Sequence, residues 1–473
     1  MLYKREDIIE EIEKGVDVLI IGGGITGAGI LNALSKSKLK ICLLEARDYS
    51  IGTSSRSSKL IHGGLRYLAN LQFSVVKDSV RERDFLLKNS RIVEKEDFLI
   101  PLDKYSWNRL ELMLGMKIYS YFSKNIKATW HTKEEIIKNF PYFSNMDFNG
   151  GYIYAEGIVD DSRLVLDNIM NARMNGALSL NYAKVTNIDY SNNHYTIEFK
   201  DILNNKTHYT KSKIVINASG IWVDDIFNIL SNKFHEMKEY SSMLKLSKGD
   251  HIIIKRDLFP PNLALALRSS IDRRQVFIIP RGDVVIIGTT ETKYDGDKEN
   301  PRPSEEEIDY LIKSVSRYLK LKREDIINAY SGIRPLFGKG EDLGKISREY
   351  KIIKKDGIIN VVGGKLTTYR TVAFKILDLI EKELSIKVKK EIELNYRPKF
   401  ELIDEGDFDI QRFKYYVEYE QAYHIEDILW RRENHFTFSK DSGLSKLDKA
   451  WDAVKFVNRD EGEKEKYMKS IYR

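Results

Sequence analysis

The chain has 473 residues, of which 42% are apolar and 31% charged, with a single cysteine and a net charge of +7. That balance describes a folded polypeptide of two or three domains and excludes a disordered chain, a disulfide scaffold and a cysteine-built metal cage. The basic excess favours acidic partners, with phosphorylated metabolites, anionic lipid surfaces and nucleic acid all compatible.

The first fifteen residues are charged and lack the apolar stretch of a signal peptide, and no run of about 18 apolar residues would span a bilayer. The single cysteine, which excludes an intrachain disulfide, makes a reducing compartment the expectation. Val16–Ile21 is a short apolar run ending in glycines, residues 25–35 carry a helical pattern, and 39–44 form a second buried strand. Strand, helix and strand in that order open a parallel sheet with crossover helices. Further on, 213–217 and Ile358–Val362 are again short apolar strands running into small-residue turns. Between them, 275–280 and 284–289 flank a turn at Arg281-Gly282-Asp283 and predict a hairpin. Past Val388 the composition shifts to Glu, Lys and aromatic residues at helical spacing, predicting a small helical C-terminal region.

Gly22, Gly24 and Gly27 form a G-x-G-x-x-G pattern between the first strand and its helix. Gly22 permits the tight turn, Gly24 lets the backbone touch a pyrophosphate, and Gly27 brings the helix close to the strand. Glu45 ends the next strand, 18 residues after Gly27, where a carboxylate accepts both hydroxyls of a ribose and repels a 2′-phosphate. The pattern predicts a dinucleotide site and does not distinguish FAD from NAD. Cys42 lies inside the second strand and is expected to be buried and inert.

The run Thr53-Ser54-Ser55-Arg56-Ser57-Ser58-Lys59-Leu60-Ile61-His62-Gly63-Gly64-Leu65-Arg66-Tyr67-Leu68 resembles the signature of the FAD-dependent glycerol-3-phosphate dehydrogenases, members of the D-amino-acid-oxidase-like flavoprotein superfamily. Matches follow in the family's order at Asn217-Ala218-Ser219-Gly220-Ile221-Trp222, Ile287-Gly288-Thr289-Thr290, Ser331-Gly332-Ile333-Arg334-Pro335-Leu336 and Gly363-Gly364-Lys365-Leu366-Thr367-Thr368-Tyr369-Arg370. The resemblance covers about residues 16–373. It implies an α/β fold: a discontinuous Rossmann-like FAD-binding domain (1–80, 155–235 and 340–388), an inserted α+β substrate or cap domain (81–154 and 236–339), and a short helical region (389–473).

It also implies FAD as cofactor, with contacts at Gly22, Gly24, Ile25, Thr26, Gly27, Glu45, Ala46, Thr53, Ser54, Ser55, Ser58, Lys59, His62, Gly63, Gly64, Val185, Ala218, Gly220, Trp222, Arg334, Gly364, Lys365, Leu366 and Thr367. The hydroxyls and N–H groups of 53–58 suit pyrophosphate and ribityl oxygens. Lys365 and the helix start after it would place positive potential at the flavin N1/C2 edge, where charge appears on reduction. The implied reaction is oxidation of sn-glycerol 3-phosphate to dihydroxyacetone phosphate by hydride transfer to flavin N5, with quinone as acceptor. Arg66, Arg334 and Arg348 are candidates to grip the phosphate, because a guanidinium presents forked donors. His62 and His251 are candidates for the base, since imidazole titrates near neutrality, and Tyr67 for orienting the substrate. No His/Cys spacing suggests a metal.

The sequence departs from the family in its C-terminal region, shorter than usual, and at Glu291, where Asp is more common. Homodimerisation and peripheral attachment to the cytoplasmic face of the membrane, directly or through an anchoring partner, are expectations from the family. Residues 107–130, rich in Leu, Met, Tyr and Phe with interspersed Lys and Arg, are the candidate contact, buried core being the alternative for such a segment. Rival readings are a glycerol-3-phosphate oxidase using oxygen, an oxidase of amino or 2-hydroxy acids, and an FAD-scaffold RNA-binding or RNA-modifying protein. The last lacks a basic aromatic module, so no nucleic-acid partner is expected.

Overall fold

The computed structural model describes residues 4–65, 72–106, 108–123, 126–231, 244–337, 350–355, 358–398, 407–458 and 460–471. Two sheets organise them. The first runs from edge to edge through Lys351–Lys355, Ile358–Val362, Lys206–Asn217, Val16–Ile21, Ile41–Leu44 and Leu178–Leu180. Along that path all neighbours are parallel except the Lys351–Lys355 edge, and Lys206–Asn217 also pairs antiparallel with His194–Asp201. Its central strands are apolar on both faces because both are covered. Val18 and Ile20 face a layer of helices Ile25–Leu34, Asp161–Met174 and Tyr369–Leu384. Leu19 and Ile21 face helix Arg5–Glu13 and the antiparallel strands Ala183–Ser191 and His194–Asp201.

Two strand starts differ from the sequence expectation. The second strand begins at Ile41 rather than 39, since residues 36–39 turn the chain out of the helix, and the third is far longer than 213–217, because its first half pairs with His194–Asp201.

The second sheet follows the order Thr292–Lys293, Leu244–Lys255, Val284–Gly288, Gln275–Arg281, Ala264–Arg268, Val93–Pro101, Gly151–Val159 and Leu60–Ile61, with Ile326–Phe337 also paired to Leu244–Lys255. The expected hairpin is present, Ile278 opposite Ile287. One face packs on helix Glu305–Val315, the other on helices Phe73–Asn89 and Arg109–Phe122. Leu60–Ile61 and the end of Gly151–Val159, which the sequence reading grouped with the first domain, thus sit in this sheet and carry the chain between the two layers.

The C-terminal region is helical, with Phe408–Glu420, a wide turn at Asp427–Arg432 and short helices after it. It is bound to the first layer by buried charges. Arg432 donates to both oxygens of Asp48 (2.8 and 2.9 Å), Arg431 to the same carboxylate (2.6 Å), and Arg163 in two parallel bonds to Glu420 (2.9 Å each).

Candidate active site

A cavity of about 820 Å³ lies where the carboxyl ends of the parallel strands meet the second sheet. Its floor is the glycine turn. Gly22 sits at φ +109°, where a Cβ would come within 2.7 Å of the Ala218 carbonyl oxygen, so only glycine lets the two strand ends approach. Gly24, Ile25 and Thr26 line the cavity, and the Ile25 N–H is held by Ser54 Oγ at 3.0 Å. Gly27 does not line it. A Cβ there would fall 2.0 Å from the Gly22 carbonyl oxygen, so its part is helix-to-turn packing. The N-terminus of helix Ile25–Leu34 thus borders the cavity, a position that favours an anionic ligand.

Glu45 stands at the far rim. Its two oxygens accept from the Gly23 N–H (2.6 Å) and the Arg47 N–H (2.9 Å), and each keeps a second lone pair for a ribose hydroxyl. Burial raises its carboxyl above the ordinary range, against the pull of those N–H groups and of Arg47. Ala46, Val185, Ala218, Gly220 and Trp222 complete this end, with the Arg47 guanidinium 4.8 Å from the Trp222 ring.

Segment 53–64 forms one side wall. Thr53, Ser54, Ser58, His62 and Gly64 line the cavity, whereas Ser55, Lys59 and Gly63 lie behind it. Lys59, 1% exposed, donates to Asp161 and to the Ser55 carbonyl oxygen, both at 2.7 Å, and so ties the wall to the start of helix Asp161–Met174.

His62, His251, Arg334 and Lys365 also line the cavity, with Gly364, Leu366 and Thr367. Gly363 and Gly364 turn the chain at φ +77° and +111°, and helix Tyr369–Leu384 starts two residues later than Thr367, so Thr367 and Thr368 belong to the turn before it. Arg334 donates to Thr289 Oγ1 at 2.8 Å. It lies across Gly249, where a Cβ would come within 2.1 Å of its Nη2, so the glycine makes room for the guanidinium. His251 stacks on Tyr330 (4.7 Å, 12°), and its Nε2 is hydrogen-bonded with Ser58 Oγ at 2.8 Å. Burial first, then the positive charges of Arg334 and Lys59, hold its imidazole well below its usual pKa, so it is neutral at physiological pH.

Arg66, Tyr67 and Arg348 lie outside the described residues, as does Trp107. Of the helix within 107–130, Leu112, Met116 and Tyr119 are core, while Leu110, Leu114 and Tyr121 are 59%, 50% and 84% exposed. Among the described residues no cluster of His, Cys, Asp and Glu could hold a metal, and no helix is long and apolar enough to cross a membrane.

Several lining residues were not anticipated: Arg47, Arg56, Tyr154, Glu156, Gln275, Phe277 and Thr289. Arg47, Arg56 and Thr289 adjoin or fall within quoted motifs. Tyr154, Glu156, Gln275 and Phe277 come from antiparallel strands whose alternation reveals only that one face is covered.

The glycine cradle, the helix start and the buried rim carboxylate fit a dinucleotide cofactor on this geometry alone. Comparison with known proteins agrees. The family described as FAD dependent oxidoreductase (DAO) matches residues 17–369. An aerobic glycerol-3-phosphate dehydrogenase of Staphylococcus epidermidis is 36% identical over 394 residues, 80% of this chain and 70% of the relative. Its counterpart from Staphylococcus aureus is 35% identical over 409 residues, 84% and 72% respectively. Among solved structures, the glycerol-3-phosphate dehydrogenase from Bacillus halodurans complexed with FAD superposes with a TM-score of 0.76 at 26% identity, covering 99% of this chain and 96% of that one. The L-alpha-glycerophosphate oxidase from Mycoplasma pneumoniae shares the fold, with a TM-score of 0.61 at 20% identity over 80% of this chain and 98% of that one.

Proposed function

Since the chain belongs to the FAD-dependent oxidoreductase family, within its glycerol-3-phosphate dehydrogenase line, we propose that it oxidises sn-glycerol 3-phosphate to dihydroxyacetone phosphate and passes the electrons to a quinone. FAD is the cofactor. When bound, it supplies the acceptor for the hydride that leaves substrate C2.

The observation that carries the substrate reading is the presence, in one cavity, of a dinucleotide cradle and two cations, Arg334 and Lys365. Arg334 is held by Thr289 and by the Lys248 and Thr290 carbonyl oxygens in the room above Gly249, so its guanidinium stands as a fixed positive charge for a phosphate. Arg66 and Arg348 are proposed to complete that grip, and Tyr67 to orient the glycerol moiety.

Of the two histidines, His62 is the better base. His251 already has its Nε2 engaged by Ser58, and its low basicity makes it a poor acceptor for an alcohol proton. His251 instead gives a neutral polar wall beside Arg334, adding no charge against the phosphate grip. Lys365 adds positive charge at the end where the cofactor gains electrons.

The quinone assignment follows the dehydrogenases at 35–36% identity rather than the oxidase, which shares the fold alone. Delivery to a lipid-soluble acceptor calls for peripheral attachment on the cytoplasmic face, directly or through a partner, and a homodimer is the proposed assembly. Leu110, Leu114 and Tyr121 share one exposed helix face and are proposed as a lipid contact. Protein reduced anaerobically by glycerol 3-phosphate, then mixed with a water-soluble quinone or with oxygenated buffer, tests the acceptor. Fast reoxidation by quinone and slow reoxidation by oxygen is the expected result; fast peroxide formation with oxygen would replace this reading with an oxidase.

A further inference from the structure

Behind the cavity wall stands a buried trio: Arg83 from helix Phe73–Asn89, Tyr119 from helix Arg109–Phe122 and Glu156 from strand Gly151–Val159, none more than 2% exposed. Arg83 Nη1 donates to Glu156 Oε2 (2.9 Å) and to the Tyr119 hydroxyl (2.7 Å), and that hydroxyl donates to Glu156 Oε1 (2.5 Å). Of the three, only Glu156 reaches the cavity lining.

Strand Leu60–Ile61 pairs with Ile158 and Gly157, so one further rung would set His62 opposite Glu156. The ladder stops at Ile61. The N–H of Gly63, the residue directly after His62, points instead at Glu156 Oε2 and the Tyr119 hydroxyl oxygen, each 3.1 Å away. A Cβ on Gly63 would come within 2.2 Å of that hydroxyl oxygen, so this stretch of backbone bears directly on the trio. Gly64, at φ +75°, then turns the chain away. Side chains have replaced strand carbonyls as the anchor of the peptide that carries His62.

Resting on the reading of His62 as the base, we propose that Glu156 is a positioning residue, which through the Gly63 N–H fixes the depth and orientation of His62 in the cavity. Arg83 answers its charge, so a carboxylate stands in the wall of a phosphate-binding cavity without repelling the substrate. Tyr119 shares the anchoring. A base displaced by about 1 Å loses up to ~10²-fold in rate while substrate and cofactor still bind.

The test is single-turnover reduction of the FAD-loaded enzyme by glycerol 3-phosphate, with dithionite as a reductant that needs no base. Glu156→Leu is expected to slow substrate-driven reduction ~10-fold or more, to leave the substrate Kd within about threefold, and to leave dithionite reduction and FAD content unchanged. Glu156→Gln keeps an acceptor for the Gly63 N–H and recovers most of the rate. Tyr119→Phe removes one acceptor without stranding a charge, is expected to slow reduction about threefold, and decides the matter if the Glu156 variants fail to fold. Wild-type rates in Glu156→Leu and Tyr119→Phe, or a Gln variant as slow as Leu, would overturn the anchor. A wild-type enzyme that dithionite bleaches and glycerol 3-phosphate does not would instead remove the substrate reading, and this inference with it.

Discussion

Arg334 is fixed in place by the protein before any ligand arrives. Thr289 and the carbonyl oxygens of Lys248 and Thr290 hold both of its terminal nitrogens, and Gly249 leaves the space it occupies. Arg334→Ala should therefore cost turnover of glycerol 3-phosphate about 2–5 kcal/mol in kcat/KM, as for a buried charge-assisted contact, while barely changing the slow turnover of glycerol. Equal losses on both alcohols would assign Arg334 to the fold or the cofactor instead. His251 makes a different prediction. Its folded pKa is depressed, so the unfolded chain takes up a proton near pH 6.5 that the folded chain refuses. Its contribution to stability is complete above pH 6.5 and is lost as pH falls below it, with a slope of up to about 1.4 kcal/mol per pH unit. Denaturant unfolding between pH 5 and 7.5 should show a shallower dependence in His251→Asn than in the wild type. Parallel curves would mean that the imidazole is charged in the folded protein.

At the scale of elements, the strands and glycine turns were legible in the sequence and the connections between layers were not. Val16–Ile21 and Ile358–Val362 stand where the apolar runs predict them, because a parallel strand covered on both faces has no polar face to blur its limits. Leu60–Ile61 was hidden inside a signature run, since two residues carry no periodicity of their own. The same limit hid Glu156, whose part depends on where a neighbouring ladder stops. The turn Asp427–Arg432 is a further case. Nothing in the sequence around its arginines names their partner, and they close on Asp48, which is fully buried beside the segment leading out of Glu45. Asp48→Asn leaves both guanidinium groups without their full counter-charge and should destabilise the protein by about 3 kcal/mol or more in chemical denaturation, with FAD affinity falling in parallel. A variant as stable as the wild type would show that Asp427, Glu426 and Glu420 suffice for those arginines and that the C-terminal region docks independently of Asp48.

Over the whole molecule, two layers divide the chemistry. The first sheet ends in the glycine cradle and Glu45, which suit the dinucleotide; the second sheet brings Arg334, His251, Gln275 and Phe277 into the same cavity. The segment of His62 crosses from one to the other and is held at both ends, by Lys59 on Asp161 and by Gly63 on Glu156. Sequence motifs disclosed most of the cofactor half, where glycine and carboxylate positions are dictated by backbone contact. They disclosed less of the opposing half, where single side chains on separate strands meet only after folding. Selection of a phosphorylated alcohol by that opposing half is the central functional claim. Anaerobic titration of the purified flavoprotein, followed by its visible absorbance, is the direct measurement. One equivalent of sn-glycerol 3-phosphate should bleach the flavin and yield dihydroxyacetone phosphate, with glycerol at the same concentration leaving it oxidised; a flavin untouched by glycerol 3-phosphate, or reduced as readily by glycerol or an amino acid, would contradict it.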